Sequence, residues 1–352
     1  MKSISAGLMI GILSLVGMVH AKSHVRILAT GGTIAGTQAV PGQGGYKAGV
    51  LTVEALISSA PSIVAQAEIS AEQVANIPSN EMTDEVWLKL VRRVEAALAD
   101  PLVDGVVITH GTDTLEESAW LLELTTGSDK PVVLVGSMRP ATAVSADGPS
   151  NLANAVTVAS APSARGRGVL VAMNNTIHGA RDATKTHGQR VDAFSSPNRG
   201  ALGWVDQGKI HFYDPAPGAR GPARYPLGDS VTLPRVDIVY SHAGADGVML
   251  DAAVAAGAKG IVIAGSGAGG MTSAMRASSG EITKRGIAIV RTARHSAGSV
   301  ERYESGGKDD NDSALGLSAG GSLTPPKARV LLKFLLREAR TPAEVQAAID
   351  AS

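Results

Sequence analysis

The chain has 352 residues, with 32 Lys plus Arg against 32 Asp plus Glu, and contains no cysteine. This length suits about two globular domains, and 44% hydrophobic residues are enough to fill their cores. The balanced charge gives no basic excess for nucleic acid and no acidic excess for disorder, and the missing thiols exclude thiolate catalysis, disulfides and thiolate zinc sites.

The first 21 residues have the features of a bacterial secretory signal peptide. Lys2 precedes the apolar run AGLMIGILSLVGMV, and residues 19–21 (VHA) supply a small residue at the cleavage position. A membrane anchor is the alternative, but the run is shorter than the roughly 20 residues that a membrane-spanning helix needs. We expect residues 1–21 to be removed on export, which leaves a mature periplasmic chain that begins near Lys22 and has no membrane attachment.

Apolar segments then alternate with helical periodicity, which predicts a larger N-terminal α/β domain over residues 22–212. Between the first two of these segments, residues 84–100 place their apolar side chains on one helical face. The order strand, helix, strand predicts parallel pairing and a doubly wound, mostly parallel sheet. The strand-like segments, typical of strands covered on both faces, are VRILAT (25–30), VDGVVITH (103–110), PVVLVGS (131–137) and GVLVAMN (168–174).

A proline- and glycine-rich stretch without periodicity, residues 213–234, predicts a linker between two domains. Strand-like segments resume after it as VDIVYSH (236–242), GIVIAG (260–265) and GIAIVR (286–291), separated by alanine-rich segments of helical length. These segments predict a second, smaller α/β domain over residues 235–352.

Hydroxyl-rich loops follow two predicted strands of the first domain. They are TGGTIAG (30–36), after the first strand, and THGTDTLEE (109–117), after the strand at 103–109. Ligands of doubly wound sheets bind beyond the carboxyl ends of the strands, so the chemistry is expected there. Neither loop has the glycine pattern of a dinucleotide or nucleotide triphosphate site. For the second loop alone, a helix N-cap at Thr112 or Asp113 is the simpler interpretation.

Together, the two loops are consistent with a threonine nucleophile. A threonine hydroxyl needs a neighbouring base, a charge that favours loss of its proton, and amide donors for the developing oxyanion. Glycines allow backbone amides to approach the reacting carbonyl. Three residues are candidates for the other roles: Asp113, which follows Thr112, Lys185 in RDATKTHG, and Tyr46 in GQGGYKAG. Each is ambiguous alone, because such lysines are usually solvated and such tyrosines usually pack in a loop.

Six segments carry a resemblance to a known family. They are ATGGTIAGT (29–37), NIPSNEMTDEVWLKL (76–90), VITHGTDTLEESA (107–119), VGSMRPATAVSADGPSNLANAV (135–156), RDATKT (181–186) and LTPPKARVLL (323–332). They resemble the bacterial type II L-asparaginases of the asparaginase/glutaminase family, over essentially the whole mature chain. The two threonine motifs at this separation are highly specific.

The resemblance implies hydrolysis of the side-chain amide of L-asparagine to L-aspartate and ammonia, through an acyl-enzyme and without a metal or organic cofactor. It assigns the nucleophile to Thr33 and the tyrosine of a mobile lid to Tyr46. It assigns Thr112, Asp113 and Lys185 to a second catalytic cluster.

The resemblance also implies how the substrate is held. Ser79 is expected to bind the α-carboxylate of the substrate and Asp113 its α-ammonium, the two charges that amino-acid recognition requires. Residues 37–50, with four glycines and one proline, form the expected lid that closes and excludes water. The full set of expected substrate-binding residues is Ser79, Asn80, Thr112, Asp113 and Ser137.

Three positions depart from the family pattern. Asn80 stands in place of a longer glutamine, and Ser137 in place of an alanine beside the leaving amide. Ala268 replaces an asparagine that a neighbouring subunit contributes to the site in the family's homotetramer, a pair of close dimers; the region near Glu304, where a neighbour's acid is expected, aligns ambiguously. Because Asn80 and Ala268 loosen the pocket, we expect asparagine to be preferred with measurable glutaminase activity.

Two other classes fit part of the pattern. Cytoplasmic asparaginases and related amidotransferase subunits share both threonine motifs. Residues 1–21 argue against a cytoplasmic asparaginase, which has no export signal. The neutral charge balance argues against an amidotransferase subunit, which serves charged tRNA. A periplasmic amino-acid-binding protein would bind asparagine without consuming it and would have no use for Lys185 beside a threonine. Release of ammonia from asparagine separates the enzymatic and binding classes.

Overall fold

The computed structural model describes residues 22–40, 45–215, 218–221, 223–228, 231–305 and 311–352. The predicted signal peptide lies outside these residues, as does part of the predicted lid. Within the described ranges, no helix is long and apolar enough to cross a membrane.

An eight-stranded sheet forms the larger part of the molecule, with five neighbouring parallel strands and three antiparallel strands at one edge. The strands of this region are β1 (His24–Gly31), β2 (Glu68–Ile77), β3 (Gly105–Thr109), β4 (Val132–Val135), β5 (Val169–Met173), β6 (Thr176–Gly179), β7 (Thr184–Lys185), β8 (Phe194–Ser195), β9 (Gly203–Asp206) and β10 (Lys209–Phe212). The sheet order is β10-β9-β6-β5-β4-β3-β1-β2, and β7 pairs with β8 separately. The predicted mostly parallel sheet is therefore confirmed.

Helices cover both faces of this sheet. They are α1 (Val53–Ser59), α2 (Ser62–Gln66), α3 (Asp84–Ala99), α4 (Leu115–Thr125) and α5 (Gly148–Ser160). Successive residues of β3 alternate between two cores, with Val106 and Ile108 packed among residues of α3 and α4, and Val107 among residues of α1, α2 and α5. This alternation with apolar residues on both sides is the reason that the strand sequences are continuous apolar runs.

A second, four-stranded parallel sheet follows, as predicted for the smaller domain. Its strands are β11 (Val236–Tyr240), β12 (Gly260–Gly265), β13 (Ala288–Ala293) and β14 (Leu317–Ala319), in the order β11-β12-β13-β14. Its helices are α6 (Val248–Ala255), α7 (Ser273–Lys284), α8 (Asp312–Leu315), α9 (Pro325–Leu335) and α10 (Pro342–Asp350).

Helix α9 joins the two sheets into one packed body. It packs against α4 of the first domain and against β11, β12 and β13 of the second. Its residues Leu331 and Phe334 belong to the same core cluster as Leu121 of α4 and Val262 of β12. The described part of segment 213–234 contains no helix or strand.

That segment is nevertheless packed. The Tyr225 amide donates to the Leu124 carbonyl at 3.0 Å, the Tyr225 ring stacks on Phe334, and Arg220 pairs with Glu123. The linker therefore reinforces the contact between α4 and α9.

The strand order places a topological switch between β1 and β3. Strand β1 is followed along the chain by β2 on one side, whereas β3 lies on its other side. In a parallel sheet of order 2-1-3-4-5, the loops that leave the first and third strands diverge and open a crevice at their carboxyl ends. The two hydroxyl-rich loops of the sequence leave these two strands.

Candidate active site

The loops after β1 and β3 are in direct backbone contact. Gly31 and Gly32 have φ angles of +102° and +83°, a conformation that residues with a side chain rarely adopt. A Cβ atom on Gly32 would lie 2.3 Å from the Cα of Gly111. Glycine at these positions therefore allows the two loops to touch at the residues directly before Thr33 and Thr112.

Thr33 begins a short 3₁₀ turn (Thr33–Ala35) directly after this glycine pair. Its hydroxyl is hydrogen-bonded to the Tyr46 hydroxyl at 2.8 Å. Thr33 is buried, whereas Tyr46 is 49% exposed, so the tyrosine covers the threonine from the solvent side. The segment that carries Tyr46 is anchored at its base, where the amides and carbonyls of Thr37 and Lys47 pair with each other.

Thr112, Asp113 and Lys185 form a hydrogen-bonded cluster, as the sequence predicted. The Lys185 ammonium donates to Thr112 Oγ1 at 2.8 Å and to Asp113 Oδ1 at 2.6 Å. Thr112 is buried and the Lys185 side chain is only 14% exposed, whereas that of Asp113 is 66% exposed. The ammonium can therefore favour the deprotonated form of the Thr112 hydroxyl, and Asp113 presents its carboxylate to solvent.

Helix α4 begins beyond this cluster, at Leu115, and its N-cap residue is Thr114. The N-cap interpretation for Thr112 or Asp113 is therefore wrong, because both side chains bind Lys185 instead. The Thr114 hydroxyl does not cap the helix either, since it donates to the Ser79 carbonyl at 2.8 Å.

Ser79 lies against the same loop. It is buried in a 3₁₀ turn (Ser79–Glu81) after β2, and its hydroxyl accepts a hydrogen bond from the Asp113 amide at 3.2 Å. A Cβ atom on Gly111 would lie 2.7 Å from Ser79 Oγ, so only glycine lets these groups approach. Asn80, the next residue of the turn, is exposed.

Two other predicted residues have different surroundings. Ser137 is buried after β4, and its hydroxyl donates to the Arg139 carbonyl at 2.7 Å within its own loop. Ala268 lies in the second domain, where it lines a cavity of about 510 Å³ together with Arg291 and Tyr303. The residues that line this cavity fall within 268–303 and do not include Thr33, Thr112 or Lys185.

A buried hydrogen-bond chain behind the site was not predicted. Trp87 Nε1 donates to Ser118 Oγ at 2.8 Å, Ser118 Oγ lies 2.9 Å from His110 Nε2, and His110 Nδ1 lies 2.7 Å from the Gly111 carbonyl. A carbonyl only accepts, so Nδ1 carries the proton and Nε2 accepts from Ser118. Burial lowers the pKa of His110 to about 4, which keeps this ring neutral. His110 lies in the motif THGTD, but a histidine at this position does not by itself indicate a buried hydrogen-bond chain.

Comparison with known protein families matches both domains. Residues 24–217 match the model described as "Asparaginase, N-terminal", and residues 235–349 match "Glutaminase/Asparaginase C-terminal domain".

Individual relatives agree along most of their length. A "Probable L-asparaginase periplasmic" of Haemophilus influenzae is 44% identical over 92% of this chain and 91% of its own. A "Glutaminase-asparaginase" of Pseudomonas fluorescens is 40% identical over 92% of this chain and 89% of its own. The crystal structure of a "Probable Cytoplasmic L-asparaginase" from Campylobacter jejuni superimposes with a TM-score of 0.89 at 44% identity, over 94% of this chain and 100% of that one.

Proposed function

The chain belongs to the asparaginase/glutaminase family and is an L-asparagine amidohydrolase, and we propose that it acts through an acyl-enzyme formed on Thr33. The observation that carries this proposal is a pair of hydroxyl clusters on two loops whose backbones touch at the switch point. One is Thr33 with Tyr46, and the other is Thr112 with Asp113 and Lys185. A nucleophile beside a proton-transfer partner, next to groups that bind an amino acid, is the arrangement that acyl transfer requires.

In the first half-reaction, Thr33 Oγ1 attacks the side-chain amide carbon of asparagine. Tyr46, whose hydroxyl lies 2.8 Å from this oxygen, relays the threonine proton toward the amide nitrogen. The carbon–nitrogen bond breaks, ammonia leaves with that proton, and a β-aspartyl ester remains on Thr33. Water then attacks the ester, the proton of the water returns to Thr33, and aspartate leaves.

The second cluster holds the substrate and serves the attack of water. Asp113, exposed toward solvent, pairs with the α-ammonium, and Ser79 receives the α-carboxylate. Lys185 favours the deprotonated form of Thr112 through its charge, so Thr112 can accept a proton from the attacking water while its own proton passes to the Thr33 oxygen that leaves the ester. The role of Ser137 at the leaving amide stays a prediction. In the structure its hydroxyl donates to the Arg139 carbonyl.

Further parts of the proposal concern substrate range, assembly and location. We propose slower hydrolysis of glutamine, supported by the glutaminase name of the P. fluorescens relative. We also propose a homotetramer, as the family resemblance implies, in which the cavity beside Ala268, whose lining does not include Thr33, Thr112 or Lys185, faces a neighbouring chain. Export to the periplasm rests on residues 1–21 and on the named location of the H. influenzae relative, while the C. jejuni relative is named cytoplasmic. Cell fractionation with N-terminal sequencing of the mature chain tests the location.

Substitution of Thr33 tests the nucleophile. Thr33→Val keeps the shape of the side chain and should abolish ammonia release, whereas Thr33→Ser keeps a hydroxyl and should retain part of the turnover. Mass spectrometry of protein quenched during turnover should find one β-aspartyl group on Thr33 in the wild type. If Thr33→Val turns over normally and Thr112→Val does not, the nucleophile has been assigned to the wrong threonine.

A further inference from the structure

A buried lysine of the second domain contacts the backbone just before Lys185. Lys327, in the first turn of α9, is 1% exposed. Its backbone carbonyl accepts a hydrogen bond from Trp120 Nε1 of α4 at 3.1 Å, which fixes this turn against the first domain. The lysine is therefore held in place at the junction of the two domains rather than at the surface.

The Lys327 ammonium binds the segment that leads into the catalytic lysine. It donates to the Ala183 carbonyl at 2.5 Å and to the Arg181 carbonyl at 3.2 Å. Strand β7 begins with the next residue, Thr184, and ends with Lys185. Two backbone carbonyls within four residues of Lys185 are thus held by one charged group.

Glu116 contacts the same segment. It is buried in the first turn of α4, and burial raises the pKa of its carboxyl, while the charge of Lys327, the Thr184 hydroxyl and the Lys185 backbone oppose that rise. Burial likewise lowers the pKa of Lys327 to about 8, against the opposing effect of Glu116. The Lys327 ammonium and the Glu116 carboxyl therefore both contact segment 181–185.

Such a pair is costly to bury. Desolvation of two charges is repaid only when their geometry and hydrogen bonds are good, and an apolar pair of similar volume is often as stable. Glu116 Oε2 has no hydrogen-bond partner among the described residues. What the two groups share is their contact with the segment that carries Lys185, and these contacts fix the position of that backbone.

We propose that Lys327 is a positioning residue for Lys185, and that through it the second domain sets the distance between the Lys185 ammonium and Thr112. This inference rests on the proposed function, in which that distance matters for the attack of water. Lys185 has four side-chain carbons of free rotation, so its 2.8 Å contact with Thr112 depends on where its backbone starts. Loss of the Lys327 contacts should let that backbone shift.

Lys333 provides a matched control on the same helix. It is 3% exposed, and its ammonium binds Asp84 of α3 at 2.5 Å. Like Lys327, it is a buried lysine of α9 that bridges to the first domain. It makes no contact with segment 181–185, so its loss should weaken the domain junction without moving Lys185.

The experiment compares wild type, Lys185→Met, Lys327→Met and Lys333→Met, with kcat, KM and Tm measured for each. Lys327→Met should lower kcat by about 10- to 100-fold with little change in KM, because displacements of about 1 Å cost rates of this size. Lys333→Met should lower Tm and leave kcat near the wild-type value. An equal fall of kcat in both variants, or a normal kcat in Lys327→Met, would overturn the inference.

Two further measurements keep the test decisive. If Lys327→Met does not fold, Lys327→Gln retains an N–H donor on a shorter side chain and should show the same selective loss of kcat. A crystal structure of the variant should show the Lys185 to Thr112 separation lengthened beyond hydrogen bonding, and an unchanged separation refutes the inference whatever the activity. A wild-type protein that releases no ammonia, or an active Lys185→Met, would instead count against the proposed function.

Discussion

Asn80 is the one substituted family position that lies beside Ser79, the serine proposed to bind the substrate. It follows Ser79 in the 3₁₀ turn after β2 and is exposed, so a longer side chain can be added there without disturbing the core. Ala268, the other loosening substitution, lies in the second domain. The two positions therefore affect selectivity by separate routes and can be tested separately.

Asn80→Gln should increase the preference for asparagine over glutamine. The added methylene fills space beside the bound α-carboxylate, and one methylene discriminates by at most about 10- to 200-fold. We expect a several-fold rise in the ratio of kcat/KM for asparagine to that for glutamine. Asn154→Gln on α5 adds the same methylene far from Ser79 and should leave the ratio unchanged. An unchanged ratio in Asn80→Gln would show that this turn does not set the pocket length.

Residue types and motif positions named Thr112, Asp113 and Lys185 only as candidates, and the family resemblance assigned them to one cluster, whose members the structure places within hydrogen-bond distance. They did not predict that the Ser137 hydroxyl would donate to Arg139, because that bond depends on how the loop closes on itself. Nor did they indicate Lys327, since a lysine in a helix is usually solvated and its burial depends on contacts between domains.

At the scale of elements, the buried parallel strands were predictable and the edges of the sheet were not. Segments 25–30 and 103–110 correspond to β1 and β3, because strands covered on both faces read as apolar runs. Strand β2 was missed, since it is an edge strand in which only Val74 is buried. The turn that carries Ser79 was therefore identified by resemblance, not by its place after a strand.

The neutral His110 ring predicts acid sensitivity of the loop after β3. The unfolded ring takes up a proton near its ordinary pKa of 6.5, whereas burial lowers the pKa in the folded protein to about 4. The unfolded state therefore binds more protons between these values, and the free energy of unfolding is complete above about pH 6.5 and falls as the pH drops toward 4. The contribution of His110 is on the order of 3 kcal/mol.

Denaturant unfolding at a series of pH values measures this effect. His110→Gln should flatten the fall in unfolding free energy between pH 6.5 and 4, although the buried His178, whose pKa is also lowered to about 4, will still contribute. His242→Gln, at an exposed position, should keep the wild-type slope. A slope unaffected by His110→Gln would mean that this ring is not protonated on unfolding in that range.

At the scale of the whole molecule, the two sheets are joined by a continuous core. Composition shifts along the chain indicate where one sheet ends and the next begins, but they carry no information on how α9 packs. In the structure, α9 contributes to the core of both sheets, and Lys327 connects its first turn to the segment of Lys185. The second domain therefore contacts the segment that carries Lys185 in its own chain.

The same domain is also expected to complete the site of a neighbouring chain from the front. Ala268 lines a cavity of about 510 Å³, Tyr303 on its rim is 40% exposed, and Glu304 beyond it binds Arg302 at 2.9 Å. None of these three residues is hydrogen-bonded to Thr33, whereas Tyr46 is. A cavity of this kind, whose lining does not include Thr33, Thr112 or Lys185, is consistent with the homotetramer that the family implies.

Subunit complementation tests this assembly. Thr33→Val chains lack the nucleophile but keep the Ala268 surface, and Ala268→Trp chains keep the nucleophile but fill the contact with a bulky ring, so each alone should be nearly inactive. Mixed tetramers contain sites in which Thr33 of one chain meets Ala268 of the other, and co-expression should recover activity. Sedimentation should show a tetramer for the wild type. A fully active monomer, or full activity of Ala268→Trp by itself, would show that each chain completes its own site, because the nucleophile would then work without the Ala268 surface of a neighbouring chain.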